Sequence, residues 1–300
     1  MPGLGAALPA AALLLLLSSF PPAAAEQPLW PFAPGVMHAL NPSDRQASKA
    51  AWVALHYANF KAASPSLLRV LGQVQKVLGI KAALPSLHSA IRLHCRLNLP
   101  LFQFIQGVGM KYYLHFTTDD YINGENAGSC LATVLYLKRS PPEVNIKCAD
   151  IQDKKQIQEQ DNRFYQYLQH RTKPIIANDI PDSHGNIAHA HLPLWGLAVA
   201  GGSFIMLKKS TENLGYFLAQ VKAVKQQIRK NNAVELEFMI LLHETPTQKI
   251  YPCYMHLIWI LDHPLTLKYI CTSVNHWLED GSGQDYGSAA GMFHEKEGNF

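Results

Sequence analysis

The feature that most constrains this chain is an internal repeat. Cys130 and Cys148 lie 18 residues apart, and so do Cys253 and Cys271, at an offset of 123. The spans between them match apolar against apolar: Val134 with Leu257, Tyr136 with Trp259, and Pro141 with Pro264 at a shared turn. Just upstream the best offset is 122, which sets Leu114 against Leu236 and Phe116 against Phe238. The one-residue change is expected in the loop between these strands, where insertions are tolerated. Further upstream the match resumes at 147. There Tyr57, Phe60 and Lys61 face Phe204, Leu207 and Lys208, and Leu67, Leu71, Gln73, Val74 and Val77 face Leu214, Leu218, Gln220, Val221 and Val224. The offsets 147 and 122 differ by 25, so the first copy is expected to carry about that many extra residues, roughly 83–106, with Cys95 among them. A chain duplicated in this way folds as two similar units in tandem.

Each copy reads as a helix followed by four strands. The helices are predicted at 44–60 and 191–208, rich in alanine or aromatic residues with polar breaks at either end. The strands are predicted at 67–78, 111–117, 130–137 and 143–148, and again at 214–228, 234–243, 250–260 and 265–271. The first run of each set is ambiguous, since Leu67, Val70, Leu71, Val74 and Val77 would also make a helical stripe. The last two runs form a hairpin around Ser140-Pro141-Pro142 or Asp262-His263-Pro264. A cysteine lies near each outer end. Pairing Cys130 with Cys148 and Cys253 with Cys271 would staple both hairpins, at about 3 kcal/mol each in the chain-entropy account, and would leave Cys95 over. Between the copies, 153–170 reads as an amphipathic helix with Ile157, Phe164 and Leu168 on one face, followed by a turn at 180–185.

The chain thus divides into a signal peptide at 1–25, a first unit at 26–149, a connector helix and turn at 150–188, a second unit at 189–273, and a tail at 274–300. The signal peptide rests on an apolar run at 11–17 followed by Ala23-Ala24-Ala25, with Glu26 as the mature start. That run is too short to cross a bilayer, and no other stretch is expected to reach transmembrane length, so no membrane partner is expected. The tail is rich in Gly, Ser and acids and is expected to be disordered. Apolar residues make up 48% of the chain, enough for a real core. A net charge of +4, spread without a basic block, argues against nucleic acid.

Catalytic patterns fail. His243-Glu244 begins a zinc-protease motif, but Thr247 stands where the second His is needed, and His294-Glu295 fails likewise. A His pair four apart supplies two of the metal's ligands, so one miss removes the site. There is no G-x-S-x-G and no phosphate-binding Walker loop. His189-Ala190-His191 reads as a solvated turn. No catalytic residue, metal or cofactor is expected.

One helix and four strands with a disulfide across the last hairpin resembles the cystatin fold, and two such copies joined by a helix resemble the latexin family. The residues that carry this are Asp161-Asn162-Arg163-Phe164-Tyr165, Ile180-Pro181-Asp182 with Gly185-Asn186, and Leu241-Leu242-His243 with Gln248, Ile250 and Pro252. The resemblance implies an α+β fold: two tandem units, each a helix packed on a four-stranded antiparallel sheet, with the ambiguous run of each copy a strand. It implies inhibition of metallocarboxypeptidases of the A class. The family's probing loop falls on His243, Glu244, Thr245, Pro246, Thr247 and Gln248, with Gln248 at the tip. Lys249 stands where the family often has Glu, and Tyr251 where it has Ile.

Within the family the likeness runs furthest to a secreted branch found in avian eggshell matrix. It is carried by Asn123-Gly124-Glu125-Asn126-Ala127-Gly128-Ser129-Cys130, by Lys225-Gln226-Gln227-Ile228-Arg229-Lys230, and by residues 278–285. That implies an extracellular matrix setting. The alternative to inhibition is then a structural role, with eggshell matrix proteins or calcium carbonate as partners. A further alternative is a cysteine-protease wedge. Gln75-Lys76-Val77-Leu78-Gly79 fits the cystatin pattern Q-x-V-x-G through Gln75, Val77 and Gly79, whereas Lys222-Ala223-Val224-Lys225-Gln226 in the second copy does not.

Overall fold

A computed structural model describes residues 37–82, 109–138, 140–229, 232–272 and 284–290. The expected signal peptide, the 83–106 segment with Cys95, and most of the tail lie outside these residues. Two helix-on-sheet modules account for most of the remainder. Helix α1 (Arg45–Ala62) starts where the Asp44 carboxylate accepts from the Gln46 amide, and stops at Ala63, which is left-handed at φ 53°. Its buried face is Ala47, Ala50, Ala51, Ala54 and Leu55. Small side chains there let the helix lie close on its sheet. The second helix, α3 (Leu192–Lys209), begins 147 residues later, has the same 18-residue length, and carries Pro in its first turn.

The first sheet has the order β1-β2-β3-β4-β5, built from Met37–Ala39, Arg69–Ala82, Gly109–Asp120, Asn126–Leu137 and Ser140–Asp150. The second has the order β11-β10-β9-β8-β7-β6, from Ile176–Ile180 (β6), Gly215–Gln227, Val234–Thr245, Ile250–Trp259, Thr266–Thr272 and Gln284–Ala290 (β11). All neighbours are antiparallel. The ambiguous runs are strands. Each disulfide, Cys130–Cys148 and Cys253–Cys271, joins residues directly opposite one another across the last hairpin of its copy. Each sheet exceeds the four expected strands because short strands cap its edges, where unpaired N–H and C=O groups would otherwise lie. One of these corrects the reading of the tail: β11 pairs along β10 from Gln284↔Thr272 to Ala290↔Thr266.

The ladders also correct the offset. Phe116 pairs with Cys130, and Ile240 pairs with Cys253. Phe116 is therefore the counterpart of Ile240, and Leu114 of Phe238, an offset of 124 in place of 122. A slip of two leaves every side chain on its own face, so alternation cannot detect it. The excess of the first copy falls accordingly from 25 to 23 residues, between β2 and β3. The remaining one-residue difference is a bulge and lies outside the turn: Thr118 pairs with Gly128 while Asp119 pairs with Asn126, leaving Ala127 as the extra residue. The Ala127 carbonyl accepts from the buried Arg69 guanidinium at 3.0 Å.

Helix α2 (Lys154–Gln169) follows β5, with Asp153 as its cap. Its Tyr165 and Leu168 join the core of the second copy, while the Asp161 carboxylate accepts from the Ser66 amide of the first. The cores interlock: Leu207 of α3 packs into the first, and Phe60 and Leu68 pack into the second. Polar contacts reinforce this. Lys49 Nζ donates to the Asn213 carbonyl at 2.6 Å, His56 Nε2 meets the Tyr216 carbonyl at 3.0 Å, and Trp259 Nε1 donates to the Ala63 carbonyl at 3.0 Å. The segment His189–Lys209 is, contrary to expectation, long and apolar enough to span a bilayer, but 72% of its apolar window is buried inside the protein. Its apolar surface is used against two elements at once, its own sheet and α1.

Candidate functional site

The turn joining β8 to β9 carries the six residues of the expected probing loop. Glu244 N–H donates to the Lys249 carbonyl at 2.9 Å, and Gln248 N–H returns to the Glu244 carbonyl at 3.0 Å. The bond between Thr245 and Pro246 is cis. Pro246, Thr247, Gln248 and Lys249 are exposed, and Gln248 is left-handed at φ 64°. Behind them, the Thr245 hydroxyl donates to the Gly215 carbonyl at 3.3 Å. His243 faces outward, its ring edge-on to Phe217 at 4.6 Å.

The first copy contains the same turn at 120–125. Asp120 N–H donates to the Glu125 carbonyl at 2.7 Å, and Gly124 N–H donates to the Asp120 carbonyl at 3.0 Å. At the offset of 124, Asp120 corresponds to Glu244 and Gly124, at φ 69°, to Gln248. The backbone shape demands a left-handed residue at this position, which glycine meets without steric cost. The second copy places a side chain there, a conformation costing roughly 1–2 kcal/mol for a residue with a Cβ.

The acids beneath the two turns are both buried, Asp120 at 7% exposure and Glu244 at 4%, but they brace different groups. Asp120 accepts from the amides of its own turn, Ile122 at 2.7 Å and Asn123 at 3.0 Å. Glu244, one methylene longer, accepts from the hydroxyls of Thr247, Tyr216 and Tyr251. Burial alone would raise the Glu244 pKa; these hydroxyls and the Lys249 charge outweigh it and hold the carboxyl below the ordinary glutamate value. Tyr216 was not singled out from sequence, and Tyr251 only as a departure from the family pattern; the offset of 124 is the signal that would have placed a turn-bracing acid at 244.

Beside the turn runs a cleft of about 460 Å³ between the copies, whose walls include Trp52, His56, Trp195, Phe217 and Thr245. Burial holds the His56 ring down at a pKa of about 4, against an opposing pull from the Tyr216 carbonyl. The alternative cystatin-type residues are not in a protruding loop. Gln75, Val77 and Gly79 lie within β2, where Val77 is 2% exposed, paired with Leu114 and packed in the first core. Gln75 is exposed on the strand, whereas Val77 and Gly79 are buried. His189 and His191 form a short 3-10 turn before α3. Among the described residues no three His, Cys, Asp or Glu side chains converge as a metal site would require.

Two tandem helix-on-antiparallel-sheet modules, each stapled across its last hairpin, define the class, and the chain belongs to the latexin family, whose model matches residues 40–99 and 97–277. It is 60% identical over 300 residues to Ovocalyxin-32 of Gallus gallus, covering 100% of both chains. Retinoic acid receptor responder protein 1 of Homo sapiens is 33% identical over 82% of this chain and 78% of its own length. Latexin of Mus musculus is 32% identical over 74% of this chain and 90% of its own. Among solved structures, mouse fetuin-B in complex with crayfish astacin aligns with 84% of this chain and 73% of that one at 14% identity, with a TM-score of 0.28, too loose a likeness to argue from.

Proposed function

We propose that this latexin-family protein is a secreted, non-catalytic inhibitor of metallocarboxypeptidases of the A class, acting through the turn at 243–248 in an extracellular matrix. The observation that carries this reading is Gln248, a side chain held left-handed at an exposed tip where the sister turn has glycine. Folding alone would favour glycine, so a non-glycine residue there points to a role for its side chain. Pro246, Thr247 and Gln248 would enter the funnel above a zinc centre and exclude substrate. The glutamine amide donates and accepts hydrogen bonds without charge, so it approaches a metal cleft without presenting a cleavable end. A turn ordered before binding loses little entropy on docking. Lys249 places a positive charge beside the probe, which selects targets with an acidic or neutral rim. The disulfides, placed alike in both copies, suit an oxidising compartment and support secretion.

Titration of the mature protein against carboxypeptidase A tests this. Inhibition is expected, with Gln248→Ala raising the inhibition constant at least tenfold. No inhibition at micromolar concentration removes the reading and leaves the structural matrix role, which calcite-binding and shell-extraction assays address.

A further inference from the structure

We propose that Glu244 is the positioning residue of this turn, and that it ties the presentation of Gln248 to the packing of the two copies. This rests on the reading of 243–248 as the inhibitory loop. The acid itself never reaches the surface. It collects three hydroxyls from three places: Thr247 in the turn, Tyr216 on β7 and Tyr251 on β9. Asp120, its counterpart, accepts from two backbone amides of its own turn and from the Gln152 side-chain amide just beyond β5. Glu244 engages side-chain hydroxyls in place of those amides and anchors its turn to the two neighbouring strands.

The strand supplying Tyr216 is itself held by the first copy. Lys49 donates to the Asn213 carbonyl, and His56 meets the carbonyl of Tyr216 itself. A path of direct contacts therefore runs from α1 through Tyr216 to Glu244, and from Glu244 to Thr247 beside the tip. The first copy serves as the support of the second copy's turn.

The groups facing Glu244 give the brace its pH range. They are the phenols of Tyr216 and Tyr251, the Thr247 hydroxyl, and Lys249, with Lys209 at the end of α3 placed 5.4 Å over the Tyr251 ring. His243 is adjacent in sequence but faces outward against Phe217. The Tyr251 phenol stays protonated near neutrality, since burial raises it further. The carboxylate is held below its ordinary pKa, so the brace is complete above the ordinary glutamate value and is lost as pH falls through the lowered one.

Amide exchange of the full-length mature chain, read at Gln248 and Gly124, tests this alongside inhibition of carboxypeptidase A. Glu244→Gln and Tyr251→Phe are expected to lower protection of the Gln248 amide at least fivefold, to leave Gly124 unchanged, and to weaken inhibition in parallel. Asp120→Asn is expected to do the reverse at the two amides and to leave inhibition unchanged. Gln248 protection should also fall in acid in the wild type and be flat with pH in Glu244→Gln. Should Glu244→Gln prove unstable, Tyr251→Phe, which removes one hydroxyl only, decides. Unaltered Gln248 protection in these variants overturns the positioning role. Lowered Gln248 protection in these variants, with a wild type that inhibits nothing, upholds it and removes the inhibitory reading alone.

Discussion

The turns at 120–125 and 244–249 share a backbone and differ in what they offer to solvent. Both close with the same pair of main-chain hydrogen bonds over a buried acid, and both need a left-handed fifth residue. One meets that need with Gly124, the other with Gln248. The fold therefore sets the shape, and the side chain at the tip is an addition to it. The same division runs through the copies. Gly201 of α3 lies where α1 has Ala54, because a Cβ at Gly201 would meet Leu257 at 2.6 Å and Met255 at 2.9 Å. The second sheet has bulkier inward side chains, so its helix must give way.

The largest effect expected from breaking this comparison is removal of the staples. Replacing Cys130 and Cys148 together by serine, or Cys253 and Cys271 together, should each cost about 3 kcal/mol, measured by denaturant unfolding. Unequal losses between the two pairs would show that the copies unfold separately. Nearly as large is an asymmetry with pH. His56 is buried and neutral with a pKa of about 4, whereas its counterpart Ser203 does not titrate in this range. An unfolded chain protonates this histidine near pH 6.5 and the folded one resists until about 4. Its contribution is thus full above about 6.5 and gone by about 4, a loss of up to about 3 kcal/mol. His56→Gln should flatten that part of a stability-against-pH curve.

Gly201→Ala is expected to cost about 2 kcal/mol by overpacking, and Ala54→Gly in the first copy about 2 kcal/mol through helix propensity and the loss of a buried methyl. A Gly201→Ala chain that melts higher than the wild type, as helix propensity alone would give, would contradict the packing difference between the copies. The smallest effect exchanges the tips. Gln248→Gly should stabilise the protein by about 1 kcal/mol and Gly124→Gln should destabilise it by a similar amount, since no atom lies within 4 Å of a Cβ at Gly124 and the cost is conformational only. A Gln248→Gly chain that is more stable yet inhibits less well would separate the two requirements directly.

Much of this was legible in the residues. Asp44 and Asp153 mark helix starts, the alanine stripe of α1 marks a buried face, and equal cysteine spans mark paired hairpins. The probing turn was placed by the family resemblance, carried by Leu241-Leu242-His243 with Gln248, Ile250 and Pro252. What stayed hidden has physical reasons. A two-residue slip preserves alternation, so the true offset appears only when Phe116 and Ile240 are seen opposite their cysteines. The strand β11 depends on an edge supplied by β10, which no local pattern in its own residues announces. The partners of Glu244 are hidden likewise, since Tyr216 lies 28 positions away and meets it only across a ladder.

The hairpin of β2 and β3 is zipped as far as Ala82 and Gly109, the two residues that flank the excess of the first copy. Closing a longer connection adds entropy only logarithmically, about 2 kcal/mol for growth from roughly 3 to 26 residues. The corresponding end of the second copy, between β7 and β8, is closed by a short link on an equally paired hairpin. It is therefore a natural docking port for protein engineers: a foreign epitope or reporter peptide spliced in after Gln227 should be carried without shifting either ladder.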